Sequence, residues 1–342
     1  MDGTIHLFDR LPQVARPSPA APGAWAPPTR AVPLIGVVRN TRSHRNHSAI
    51  PEAADGATLL VETPARREEL AGILARFAGR RVDYIVVDGG DGTVRDVLTS
   101  GAGVFGESWP PLIVLPNGKT NALASDLGLP THWSLRDAVE AIHAGRLEQR
   151  RPLVVAQHDD ADARVYGFVF GAGVFTAAIG LGQDAHRWGA FNSLGVIVTA
   201  VWSLLQAIFG GERNVWRKGT PMVLRDAAGR DIPHSGNGRL GERYLAFAST
   251  LERFPARLRP FGAVEGTLRV TMIDAASTAL LVRLPLILRG YISEGLRRRG
   301  YHSFGAEALQ IDIGERFILD GEAFPPGRYR LSLGPKLRFV VP

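Results

Sequence analysis

The 342-residue chain has no cysteine. That excludes disulfides and thiolate-metal sites, and it suits a reducing compartment. A secretory start is also missing: "MDGTIHLFDRLPQ" has neither a basic opening nor an apolar core, so the chain is expected to stay in the cytoplasm. Lysine is scarce, since nearly all of the 40 basic residues are arginine. No internal repeat is evident. Hydrophobic residues make up 45% and charged residues 21%, which excludes a disordered chain and leaves material for a core. The length suggests two domains of ordinary size. A net charge of +7 suits acidic partners such as nucleic acid, anionic lipid or a nucleotide. It equally suits the Arg-, Ala- and Gly-rich composition of a GC-rich genome.

Residues 1–33 read as a flexible Pro/Ala-rich leader, with no hydrophobic period in "RLPQVARPSPAAPGAWAPPTRAVP". Order is expected from "LIGVVRN", a short apolar run suited to a buried strand. "TLLVETP", "VDYIVV" and "PLIVLP" read as further strands. Leu70, Ile73, Leu74 and Phe77 recur at helical spacing between Pro64 and Gly79. Helices are also expected from Thr93, from Asn121 and across "SLRDAVEAIHAG". This alternation predicts a doubly wound α/β nucleotide-binding domain over residues 34–150. Ligands of such sheets bind beyond the carboxyl ends of the strands, where the Gly-rich loops after Val87 and Leu115 fall. From 151 to 342, short strand-like runs separated by turn residues predict a mainly antiparallel, β-rich domain. The segment from Gly189 to Gly211 carries no charge. Its length would span a membrane, but Asn192, Thr199, Ser203 and Gln206 fall near one face, as in an amphipathic helix. Arg297, Arg298 and Arg299 suit a solvated helix end or an anionic membrane surface.

The stretch "VDYIVVDGGDGTVRDVL" carries the chemistry. Glycines allow close approach of backbone to ligand, and the following helix N-terminus suits a phosphate. A carboxylate in such a cradle repels phosphate unless Mg²⁺ or a transferable proton intervenes, and both fit phosphoryl transfer. The structural alternative is a tight turn with Asp as helix cap. Thr93 could serve as that cap, which leaves Asp91 without a structural duty.

"GGDGT" at Gly89–Thr93 resembles the signature of the diacylglycerol kinase catalytic superfamily, which includes bacterial lipid kinases and sphingosine kinases. NAD kinases and phosphofructokinases share the short motif. Three further stretches narrow the resemblance. "LPNGKTNALA" is similar to the family's second nucleotide loop at Pro116, Gly118, Asn121 and Ala124. "ILDGEAF" resembles its Asp-Gly-Glu at Asp320, Gly321 and Glu322. "VVRNTRSH" stands in the place of its first loop, matched at Asn40 and Ser43.

The resemblance implies a β-sandwich-like second domain, an active site in the cleft between the domains, and a last strand packing back on the first domain. It implies an ATP- and Mg²⁺-dependent lipid kinase acting on diacylglycerol or a similar neutral lipid alcohol. Asn40, Ser43, Gly89, Gly90, Gly92, Thr93, Gly118, Lys119 and Asn121 would hold the nucleotide. Asp91, Glu322 and Asp320 would be the catalytic carboxylates, Asp91 also meeting Mg²⁺ through ATP. Glu265, Gly266 and Leu268 echo a structural Mg²⁺ turn. Lys119 departs from the usual Thr. No nucleic-acid partner is expected, a homodimer is left open, and the enzyme would work peripherally at the inner membrane face. The alternatives are a non-catalytic lipid-binding or regulatory protein on the same fold, a sphingoid-lipid kinase, or an NAD kinase.

Overall fold

The computed structural model describes residues 6–15, 30–43, 53–54, 56–176, 217–235 and 238–342. The charge-free segment 189–211 lies outside them, as does most of the leader. The first sheet is built from β1 (Leu34–Arg39), β2 (Ala53–Ala54), β3 (Ala57–Glu62), β4 (Tyr84–Gly89), β5 (Leu112–Pro116) and β6 (Leu147–Arg150). One further strand joins it from the far end of the chain. Its order is β2-β3-β1-β4-β5, then that late strand, then β6. The β3, β1, β4 and β5 strands run parallel. Their apolar residues alternate between two cores. On β4, Ile85 and Val87 face the core of α1 (Glu69–Gly79) and α2 (Asp91–Phe105). Tyr84 and Val86 face the core of α4 (Leu135–Ala144). Helices therefore cover both faces, as a parallel sheet requires. A short α3 (Ala122–Leu127) follows β5.

The chain leaves this sheet at Arg150 and enters the second at Leu153. The second sheet contains β7 (Leu153–Gln157), β8 (Arg164–Gly167), β10 (Thr220–Asp226), β11 (Glu242–Arg243), β15 (Ala308–Ile313) and β18 (Gly327–Leu333). The third contains β9 (Val169–Gly173), β12 (Leu245–Ser249), β13 (Leu268–Ile273), β14 (Tyr301–Ala306), β16 (Phe317–Leu319) and β17 (Glu322–Phe324). The pairings within both sheets are antiparallel. Their inner faces share one core, with Leu153, Leu224, Ile311 and Leu331 from one sheet against Phe170, Val270, Met272 and Phe317 from the other. This is the expected two-sheet sandwich. Three short helices, α5 (Thr278–Val282), α6 (Leu284–Leu288) and α7 (Glu294–Arg297), cover the outer face of the third sheet. The final strand, β19 (Leu337–Val340), returns to the first sheet and lies between β5 and β6.

Two expectations change here. Residues 6–15, read as flexible leader, are packed instead. Leu11 and Val14 are buried, Leu7 bridges Ala323, and Gln13 bridges Ala163. Leu11 enters the sandwich core and Val14 the α1–α2 core, so the segment earns its order by burial before the Pro/Ala stretch begins. Second, α2 begins at Asp91 rather than Thr93, with Gly90 in extended conformation as its cap residue.

Candidate active site

Four loops converge beyond the carboxyl ends of β1, β4 and β5 and the β16–β17 turn. The β4–α2 loop and the β5–α3 loop touch through glycine. A Cβ on Gly90 would lie 2.8 Å from the Gly118 Cα, and one on Gly118 would lie 2.4 Å from the Gly90 Cα. Both glycines are therefore required by loop-on-loop contact, apart from any ligand. Gly89 is likewise pressed against Thr93, whose Oγ1 would sit 2.4 Å from an added Cβ. Asn121 holds the second loop in shape. Its φ is +51°, its Oδ1 accepts from the Gly118 N–H at 2.9 Å, and its Nδ2 donates to the Pro116 and Gly118 carbonyls. Asn40 Nδ2 donates to Thr93 Oγ1 at 2.9 Å, and the Asn40 carbonyl accepts from the Ser43 N–H, which joins the first loop to the others. Lys119 is exposed, so its departure from Thr does not obstruct the loop beneath it.

Asp91 has the structural duty that the sequence denied it. Its carboxylate accepts the N–H groups of Ala122 (2.9 Å) and Leu123 (3.2 Å), capping the start of α3. Thr93 is not the cap of α2; it is engaged by Asn40. Asp88 is buried at the end of β4, accepts from Asn117 Nδ2 at 2.6 Å and pairs with Arg39 at 3.5 Å, a strand-end anchor.

The second domain brings Asp320 and Glu322 to the same place. Asp320 and Gly321 have φ of +46° and +83°, forming the two-residue turn between β16 and β17. Asp-Gly is a favoured pair for such a turn because both positions need positive φ. The Asp320 carboxylate accepts from the Phe168 and Val169 N–H groups at about 3 Å, tying the turn to the β8–β9 junction. A Cβ on Gly167 would meet Asp320 Oδ2 at 2.6 Å, so that glycine lets the carboxylate in.

Between the two domains stands Arg95, which the sequence reading did not single out. It is 1% exposed. Its guanidinium pairs with Asp96 at 2.8 Å, donates to the Leu319 carbonyl at 3.3 Å and lies 3.9 Å from Glu322. Arg67 adds a second cation, 2.6 Å from Asp96 and 3.6 Å from Glu322. The spacing of Arg95 four residues after Asp91 was available as a helix i,i+4 pair. Arg67 had no comparable signal. The packed N-terminus also reaches the site. The His6 N–H donates to Glu322 Oε2 at 2.6 Å, and Phe8 stacks on Phe324 with centroids 4.5 Å apart.

The electrostatics follow from this packing. Burial raises the Asp320 carboxyl to about 7, and the nearby Asp91 charge adds to it, against Arg95 and the two backbone donors. Burial also raises Asp91, opposed by its two N–H bonds and Arg95. Glu322 is raised by burial, opposed by Arg95 and Arg67. Burial works against the Arg95 charge, but Asp96 and Glu322 more than offset it. Beside this group opens a cleft of about 440 Å³, lined by Asn40, Arg42, Arg66, Arg67, Thr93 and His6. The arrangement offers a basic cleft for an anion next to carboxylates able to hold or take a proton.

Among the described residues no group of three or more His, Cys, Asp or Glu is placed to hold an ion. Glu265 is exposed on the turn before β13. Among the described residues no helix is long and apolar enough to cross a membrane.

Residues 40–155 match the family described as the diacylglycerol kinase catalytic domain. A Chromohalobacter salexigens protein named "Probable lipid kinase YegS-like" is 29% identical over 186 residues, which is 53% of this chain and 53% of that protein. The chain thus spans about half the length of the curated relative it matches. A Bacillus anthracis str. Sterne structure described as a diacylglycerol kinase superposes with a TM-score of 0.59 at 15% identity, covering 92% of this chain and 98% of the other. A second from the same strain gives 0.63 at 16% identity, covering 92% and 99%. At such identity these two establish the fold: a mostly parallel α/β sheet followed by two antiparallel sheets. Asn40, the Gly89–Thr93 loop and the Gly118–Asn121 loop all lie inside the region, residues 40–155, that is similar to the diacylglycerol kinase catalytic domain.

Proposed function

We propose that this protein is an ATP-dependent lipid kinase that phosphorylates diacylglycerol or a similar neutral lipid alcohol. The observation that carries the reading is the meeting of Asp91, Asp320 and Glu322 around Arg95, beside a cleft lined by Asn40, Thr93, Arg42, Arg66 and Arg67. Asn40, Ser43, Gly89, Gly90, Gly92, Thr93, Gly118, Lys119 and Asn121 frame the nucleotide side. The arginines neutralise phosphate charge, which is most of what phosphoryl transfer asks of a protein. Mg²⁺ fits as an ion carried in with ATP, because one or two carboxylates plus substrate phosphates suffice for it, and Asp91 and Glu322 supply them. It would neutralise charge on the phosphates. The proton of the attacking hydroxyl passes to Asp91 or Glu322, the carboxyls that burial raises above their ordinary values. The lipid would be met at the cytoplasmic membrane face, with the protein bound peripherally.

The test uses labelled ATP, Mg²⁺ and a panel of lipid alcohols in mixed micelles, with NAD as a control acceptor. Label should enter a neutral lipid, and Asp91→Asn should reduce the rate by roughly 10²–10⁴. Comparing its pH profile with that of Glu322→Gln assigns the base, since removing the base flattens the acidic limb. Tight lipid binding without turnover would instead favour the lipid-binding alternative, and label in NAD the soluble kinase.

A further inference from the structure

A second cleft of about 250 Å³ opens at the junction of the two domains, away from the glycine loops. Arg150, Arg151 and Lys336 reach it from the edge of the first sheet, and Thr250, Glu252 and Arg269 from the third. Its charged lining is four cations against the single carboxylate of Glu252. Three buried donors there have no hydrogen-bond partner among the described residues: Thr250 Oγ1, Arg150 Nη2 and Arg269 Nε. Thr250 is 2% exposed and Arg150 4%. Arg150 Nη2 has Glu252 3.3 Å away, but Thr250 Oγ1 and Arg269 Nε have no such neighbour; buried polar atoms are nearly always satisfied, so these two on one cavity point to a ligand that accepts hydrogen bonds.

The rest of the lining is fixed in advance. Arg150 Nε is held by Asp126 at 2.6 Å and its Nη1 by Glu148 at 3.0 Å; Glu252 lies 3.3 Å from Nη2 at the mouth of the cleft. The Arg269 guanidinium donates to the Leu251 carbonyl and lies over the Phe261 ring at 5.2 Å, which leaves Nε directed elsewhere. Arg151 Nε donates to the Gly334 carbonyl at 2.7 Å. Burial lowers the Arg269 pKa, a cost that a bound anion would offset. Gly266 and Thr267, in the turn before β13, form one rim.

We propose that this junction cleft binds inorganic phosphate or a small phosphate monoester, held by Arg150, Arg269, Lys336 and Thr250. The ligand accepts only, carries charge opposite to the lining, and needs several donors at fixed angles, which guanidinium groups supply. The volume leaves room beside the phosphate for a short substituent. The same chemistry arises from a soluble ester or from the headgroup of phosphatidic acid. The site stands at the far end of α3 from the active site: Asp91 caps the helix start, while Asp126 in its last turn holds Arg150. Phosphate binding here does not depend on the kinase reading.

Calorimetric titration of the full chain with potassium phosphate and with glycerol phosphate, at constant ionic strength, tests it. Saturable binding is expected, weakened about tenfold by Lys336→Glu, an exposed position, and several-fold by the near-isosteric Thr250→Val. Asn40→Ala in the other cleft should leave it unchanged. Absence of saturable binding of either ligand overturns the proposal, as does binding that is lost in Asn40→Ala while Lys336→Glu retains it. Co-sedimentation with phosphatidylcholine vesicles containing phosphatidic acid separates the sources. Capture that Lys336→Glu abolishes assigns the lipid headgroup, and soluble binding without capture assigns the free ester. Kinase assays on the same preparations keep failure of this site distinct from failure of the proposed activity.

Discussion

Asp91 and Asp320 do the same local work from opposite domains, yet the site treats them differently. Each carboxylate accepts two backbone N–H groups of a neighbouring element, Ala122 and Leu123 for Asp91, Phe168 and Val169 for Asp320. Such bonds favour the charged form, and burial opposes them in both cases. Both are raised with Arg95 opposing the rise, and Asp320, which also feels the Asp91 charge, rises to about 7. A carboxylate that is sound structure in isolation thus becomes a titrating group when a second one is brought to face it.

Removing the shared cation should break this comparison most severely. Arg95→Met leaves Asp96, Glu322 and Asp320 without their buried partner, so a loss of roughly 3–5 kcal/mol is expected in urea unfolding. Asp320→Asn sharpens it. A carboxyl raised to about 7 in the fold, against 3.8 in its absence, makes the native state take up a proton across that range. Its contribution to stability therefore declines as pH rises from about 4 to about 7. The variant should flatten that slope, so that its stability relative to the parent is higher at pH 8 than at pH 5; a slope unchanged by the substitution would remove Asp320 from the titration. Lys119→Thr is the mildest change. The side chain is exposed, so about 1 kcal/mol or less is expected in the KM for ATP.

The sequence showed the alternating elements of the first domain because burial of both strand faces and one helix face leaves visible periods. It also singled out the acid of the glycine loop. Its account of that acid was incomplete, since Ala122 and Leu123 lie 31 and 32 residues away from Asp91. Arg95 meets the Leu319 carbonyl across 224 residues, a distance no local pattern spans. The β6 strand, "LEQR", has no apolar alternation; what makes it a strand is pairing with β19. The N-terminal segment was hidden for a similar reason. Leu11 and Val14 are too few to show a period, and their burial depends on surfaces built much later in the chain.

That late arrival of β19 has a consequence for biosynthesis. Because β19 sits between β5 and β6, the first sheet lacks an interior strand until the segment through Val340 has emerged from the ribosome. Until then the β5 edge is open and β6 has no neighbour in that sheet, a template for wrong pairing of the kind that chaperones suppress. The nascent α/β half must therefore wait for the whole sandwich to be made, and closure of its sheet becomes a late, long-range event in folding.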